Sequence, residues 1–243
     1  MIARCLAAAA FAACLVSPMG PALAEDMATA AAPNASKSLH YLDPAEFRAE
    51  RIVAAPPALG SAAEGLEFAR LRMLIATTGP DRMAQARWDG DHEDPSLFNA
   101  VLGRDLSKLP ATWALLTLVQ QETDVVIEQG KELFARRRPY SIDAALPACV
   151  KDRMNKPARA YPSGHAGVGY SVGWVLASLL PDRAPAILAR ADDYALSREI
   201  CGVHFHSDIE ASHVIGTLAA ATLLKDRRLA RQIAAARTEL AGP

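Results

Sequence analysis

The chain has 243 residues, 51% of them apolar and 22% charged, with 26 basic side chains against 27 acidic ones and a formal net charge of -1. That apolar share excludes a disordered chain, and the charge balance argues against a nucleic-acid binder, which would carry a basic excess. The length allows one large domain or two small ones.

Residues 1–24 read as a secretory leader. Arg4 gives the positive start, and the apolar run from Cys5 to Val16 follows it. Pro18 and Gly20 break that run, and Ala22-Leu23-Ala24 is a small-x-small cleavage site. The run is too short to cross a bilayer, which takes about 20 apolar residues. Cleavage is expected after Ala24, with export to the periplasm. Residues 25–57, Ala-rich and polar at their start, read as a flexible arm, and 58–243 as one helical domain.

Leu66, Ala69, Leu71, Leu74 and Ile75 recur at helical spacing until Gly79-Pro80-Asp81 stops them. Short helices are expected over 83–88 and 95–102, the second with Asp94 as its cap and Gly103 as its stop. Pro110 opens a long helix with the stripe Trp113, Leu116, Val119, Thr123, Val126 and Ile127, expected to reach Arg136. Residues 140–161 read as a loop and, with 89–97, are expected to shape specificity. Helices are expected over 163–180, 181–200, 207–224 and 225–240. The stretch 166–180 is apolar but carries Gly167, Gly169 and Gly173 and stops at Pro181, so it reads as a buried core helix. No alternating strand pattern runs longer than a few residues, and the expected fold is an all-α, single-domain helical bundle with its active site at helix ends.

Loss of the leader removes Cys5 and Cys14 and leaves Cys149 and Cys201. In an exported protein this pair reads as one disulfide, the alternative being two buried thiols. A bridge would close a loop of roughly 50 residues, worth about 4 kcal/mol in the chain-entropy account.

Three polar clusters sit at expected helix ends. In the first, Lys131 and Arg138 lie seven residues apart, on one face if the helix continues. Such a pair suits an anion, the guanidinium gripping two oxygens and the ammonium adding a point charge. The competing reading is a solvated basic face, because Arg136 and Arg137 adjoin. In the second, Pro162-Ser163-Gly164-His165 opens the apolar run. A helix start offers backbone N–H groups to an anion, Ser163 a hydroxyl, Gly164 close approach, and His165 a ring beside the ligand. The third holds Arg198, His204 and Asp208. The carboxylate four residues on can fix the imidazole tautomer and leave the other nitrogen as a nucleophile. The competing reading is a metal site from His204, His206, Asp208 and His213. It is disfavoured because His206 falls on another face and no partner motif is present. Three cations, a helix N-terminus, two histidines and a carboxylate suit phosphoryl transfer through a phosphohistidine.

Lys131-x6-Arg138-Pro139, Pro162-Ser163-Gly164-His165 and Ser197-Arg198-x5-His204-x3-Asp208 resemble the three-part signature of the type 2 phosphatidic acid phosphatase and vanadium haloperoxidase superfamily. Within it, SREICGVHFHSD over 197–208 is similar to the secreted bacterial class A nonspecific acid phosphatases. The resemblance covers about 58–224. It implies an α-helical bundle that hydrolyses small phosphate monoesters over a broad range, with no metal or other cofactor and often as a homodimer. It casts His204 as nucleophile, Asp208 as its orienting partner and His165 as general acid. Lys131, Arg138 and Arg198 become phosphate clamps, with the Ser163 hydroxyl and the Gly164 N–H beside them. Ser212-His213 departs from the family pattern, which has a small residue followed by Gly or Arg. The alternatives carried are a lipid phosphate or pyrophosphate phosphatase, a vanadate-dependent haloperoxidase, and a non-catalytic helical binding protein. No nucleic-acid partner is expected, and no membrane span once the leader is removed.

Overall fold

The computed structural model describes residues 38–149 and 159–242. The leader, the first part of the arm and the middle of the 140–161 loop lie outside the described residues.

The described chain is helical throughout, with no strand. In order come α1 (Ala49–Ile52), α2 (Ala62–Thr77), α3 (Pro80–Asp91), α4 (Asn99–Leu102), α5 (Pro110–Phe134), α6 (Pro139–Ile142), α7 (Gly164–Leu179), α8 (Ala184–Ile200), α9 (His206–Leu223) and α10 (Ala230–Ala241). Short 3-10 turns precede α4, α5, α8 and α10.

Local chemistry sets most boundaries. Pro80 and Pro110 stand at helix starts, where a missing N–H costs nothing. The Ser61 hydroxyl accepts from the Glu64 N–H, and the Glu64 carboxylate accepts from Gly60 in return. Asp94 caps the turn over Pro95–Phe98, and Gly103, at φ 68°, ends α4. The first turn of α5 is capped from a distance: the Glu239 carboxylate of α10 accepts from the backbone N–H groups of Ala111 and Thr112.

The apolar run expected to be a core helix is α7, the centre of the molecule, and α5, α8 and α9 pack around it. Its glycines allow that crowding. A Cβ on Gly167 would fall 2.0 Å from Ile127 Cδ1 of α5, and one on Gly173 would crowd Phe98 and Ala191. No helix among the described residues is long and apolar enough to cross a membrane.

Two expectations need correction. Residues 38–57 were expected to belong to a flexible arm, but Leu42, Phe47 and Ala49 are buried in the main core. The Glu122 carboxylate of α5 accepts from the N–H groups of His40, Tyr41 and Leu42, and Arg228 donates to the carbonyls of His40 and Tyr41. This strap is ordered by a buried acceptor some 80 residues away, so no local pattern announces it. The long helix also ends at Phe134, short of Arg136, because Ala135 turns left-handed at φ 44°. Lys131 and Arg138 therefore do not share a helix face, and Arg138 stands in the extended residue before α6.

Cys149 and Cys201 are joined in a disulfide. The bridge ties the chain just before the undescribed part of the 140–161 loop to the end of α8.

Candidate active site

The site gathers at the N-termini of α7 and α9, the C-terminus of α5 and the end of α8. His204 lies just before α9 and is 2% exposed. Its Nδ1 is 3.2 Å from Asp208 Oδ2, and its Nε2 is 3.0 Å from Arg138 Nη1. These partners assign the tautomer. Nδ1–H donates to the carboxylate, and the Nε2 lone pair faces a cation. Burial, then the charges of Arg138, Arg198, Lys131 and His165, drive the His204 pKa well below the usual histidine value. That shift favours the neutral ring.

Asp208 is fully buried at the third position of α9. Its Oδ2 also accepts from the Phe205 N–H at 2.8 Å, and Oδ1 meets Arg136 Nη1 at 2.6 Å. Burial raises the carboxyl pKa, and Arg136 and the Phe205 N–H pull against that rise.

In sequence Arg136, next to Arg137, reads as part of a solvated basic face. It is 6% exposed. It stacks on the Phe205 ring and bonds Glu67 and Ser207 as well as Asp208. Glu67 of α2 also accepts from the Ser207 N–H, so α2 caps α9 at its first turn. Phe68, one residue on, meets Phe205 edge to face.

Two of the expected clamps hold unmet donors. Arg198 is 4% exposed, yet its Nε and Nη1 have no hydrogen-bond partner among the described residues, and neither has Arg138 Nε. Gly90 gives Arg198 its room, since a Cβ there would come within 2.6 Å of Nη1. Burial lowers the pKa of both guanidinium groups, the mark of cations held out of water without full compensation. An anion would meet those donors. Lys131 Nζ is 2.6 Å from Glu128, which also pairs with Arg159.

Ser163 caps α7, its hydroxyl accepting from the Ala166 N–H at 3.4 Å. Its own N–H donates to the Asp208 carbonyl. The departure at 212 is resolved by packing. The Ser212 hydroxyl lies 2.7 Å from the Ser163 carbonyl and 3.0 Å from that of Asp208, so it locks the two helix starts together.

His165, on the first turn of α7, places Nδ1 2.9 Å from Glu93 Oε1 and Nε2 3.2 Å from the Gly90 carbonyl. Two facing acceptors suit a protonated ring. Burial and Arg198 lower its pKa, while Glu93 opposes them. Glu93 was not singled out in sequence.

The other histidines point elsewhere. His206 bonds Glu199, and His213 stacks on Tyr170. Among the described residues no group of three His, Cys, Asp or Glu side chains is arranged to hold a metal ion.

Comparison with known proteins identifies the family. The family model of the PAP2 superfamily matches residues 110–231, which include every site residue from Lys131 to Asp208. The chain belongs to the PAP2 superfamily. Among similar proteins, an acid phosphatase of Zymomonas mobilis is 31% identical over 195 residues, covering 77% of this chain and 74% of that one. A non-specific acid phosphatase of Providencia stuartii is 29% identical, covering 76% and 78%. One from Salmonella typhimurium is 28% identical, covering 68% and 69%. A solved structure is similar in fold: a transmembrane PAP2 type phosphatidylglycerolphosphate phosphatase from Bacillus subtilis. Its TM-score is 0.52 at 19% identity, covering 68% of this chain and 86% of that one.

Proposed function

We propose that this PAP2 protein is a secreted acid phosphatase that hydrolyses small phosphate monoesters through a phosphohistidine. The observation that carries the reading is the His204 ring, held at Nδ1 by Asp208, with Nε2 turned to guanidinium groups that keep unmet N–H donors. The relatives named acid phosphatase support the substrate class.

Lys131, Arg138 and Arg198, with the Ser163 hydroxyl and the Gly164 N–H, hold the phosphoryl oxygens as charge develops. The Nε2 lone pair attacks phosphorus, and the bond from phosphorus to the leaving oxygen breaks. His165 gives that oxygen its proton. Water then attacks the phosphohistidine, the P–N bond breaks, and His165 takes a proton from the water. Phosphate leaves with His204 neutral again. Another alcohol in place of water would give phosphotransfer.

The experiment is phosphate release from p-nitrophenyl phosphate by the mature chain, with and without EDTA, in wild type and His204→Ala. Turnover that survives chelation and is lost in the variant supports the reading. Retained turnover in His204→Ala overturns the nucleophile, and the absence of any turnover in wild type overturns the activity. Parallel assays on phosphatidate vesicles, and on bromide with peroxide and vanadate, address the related chemistries. Export is tested by sequencing the mature N-terminus, expected at Glu25. The proposed homodimer is tested by the mass in solution.

A further inference from the structure

Glu93 belongs to none of the three motifs, yet its carboxylate reaches the first turn of α7 beside His165. It stands between α3 and the turn before α4, in the acidic stretch Asp89-Gly90-Asp91-His92-Glu93-Asp94. Its Oε1 is 2.9 Å from His165 Nδ1. A Cβ placed on Gly164 would meet that same oxygen at 2.7 Å and Lys131 Nζ at 3.2 Å. The carboxylate thus rests over the first residue of α7, with a lysine and a histidine at its sides. That is the place where a helix N-terminus and converging cations would receive a phosphoryl group.

The electrostatics agree. Burial works to raise the Glu93 pKa, but His165, Lys131 and Arg198 overcome it and hold the carboxyl at about 2. These are the groups proposed above to serve the phosphoryl group. The side chain is still 44% exposed, so it can leave its seat for water.

We propose that Glu93 is a tethered carboxylate that occupies the phosphate seat when no substrate is bound, so that phosphate-bearing ligands enter by displacing it. The proposal rests on the phosphatase reading and sharpens it. A site filled by its own anion binds with its intrinsic affinity multiplied by the fraction of time the seat is empty. If Glu93 holds the seat nine-tenths of the time, its removal tightens ligand binding about tenfold.

The test is steady-state kinetics on the full mature chain with p-nitrophenyl phosphate, inorganic phosphate as inhibitor, and the variants Glu93→Gln and Glu93→Ala. In Glu93→Ala, KM and the phosphate Ki are expected to fall together by about tenfold, and in Glu93→Gln by less, because a neutral amide still fills space. Thermal melts establish that each variant folds, and Glu93→Gln carries the test if Glu93→Ala does not. Unchanged or raised KM and Ki overturn the proposal. So does a loss of kcat on alkyl phosphates with KM and Ki unmoved, which would make Glu93 only a positioning residue for His165. If wild type releases no phosphate, the phosphatase reading fails. Calorimetry with inorganic phosphate still tests the seat: tighter binding in the variants supports it, and equal or weaker binding overturns it.

Discussion

Arg136 Nη1 lies 2.6 Å from Asp208 Oδ1, leaving Oδ2 to His204 and the Phe205 N–H. The carboxylate that orients the proposed nucleophile is itself held by a buried guanidinium, which Glu67 and Ser207 hold in turn.

Arg136→Met should therefore affect both folding and activity. Removing one partner of a buried ion pair costs about 3–5 kcal/mol, because the charges left behind have no water. Urea denaturation should show the midpoint falling, and kcat should drop as Asp208 loses its anchor. Arg136→Lys keeps the charge but offers a single nitrogen in place of the planar fork that spans Glu67 on one arm and Ser207 and Asp208 on the other, so it should fall between. A variant with wild-type midpoint and kcat would contradict this role.

Asp208→Asn should lower kcat by about a thousandfold or more, by analogy with other His–carboxylate pairs whose tautomer is lost. KM should change far less, because the phosphate donors stay in place. Quench-flow with radiolabelled substrate should show the phosphoenzyme forming slowly in this variant. A fall in KM affinity with kcat intact would place Asp208 in binding instead.

The pH dependence follows from opposite requirements on two rings. His165 must be protonated to serve as acid, and its lowered pKa means that the proton is lost below the usual histidine value of about 6.5. Activity should fall through that point as pH rises. His204 must be neutral, and its pKa lies well below the same reference, so activity is lost only at lower pH, when the His204–Asp208 pair takes up a proton. The result is a bell in kcat/KM with an acidic maximum. His165→Asn should abolish the alkaline limb and leave the acid limb. A wild-type profile flat from about pH 4 to about pH 9 would remove the two-histidine scheme.

The Cys149–Cys201 bridge closes a loop with a sequence separation of 52, worth about 4 kcal/mol in the unfolded-state account. Reduction should lower the melting temperature, and mass spectrometry should find the two cysteines in one non-reduced peptide pair. An alkylatable thiol at either position in the untreated protein would contradict it.

The site was legible where its residues are close in sequence. Ser163, Gly164 and His165 are consecutive, and His204 and Asp208 are separated by less than two helical turns. Helix starts at Pro110 and stops at Gly103 were legible for the same reason: one residue imposes its own backbone geometry. Arg136 was not, because beside Arg137 it has the look of a solvated basic run, and its partners Glu67 and Asp208 lie about 70 residues to either side. Glu93 was hidden in an acidic stretch that reads as surface loop, since nothing local says which carboxylate turns inward. The Lys131–Arg138 pair was placed on one helix face, and only the left-handed Ala135 redirects the chain between them.

The strap over residues 38–57 bears on how the catalytic unit can be cut. The Tyr161 hydroxyl, three residues before His165 is reached through Pro162, Ser163 and Gly164, donates to the Ala54 carbonyl at 2.6 Å. A version trimmed to begin at residue 58 would strip Leu42 and Phe47 from the core, expose their cradle to water and leave Tyr161 without its mooring. Any autonomous fragment must therefore keep residues 38–57, upstream of position 58, where the sequence reading sets the start of the helical domain.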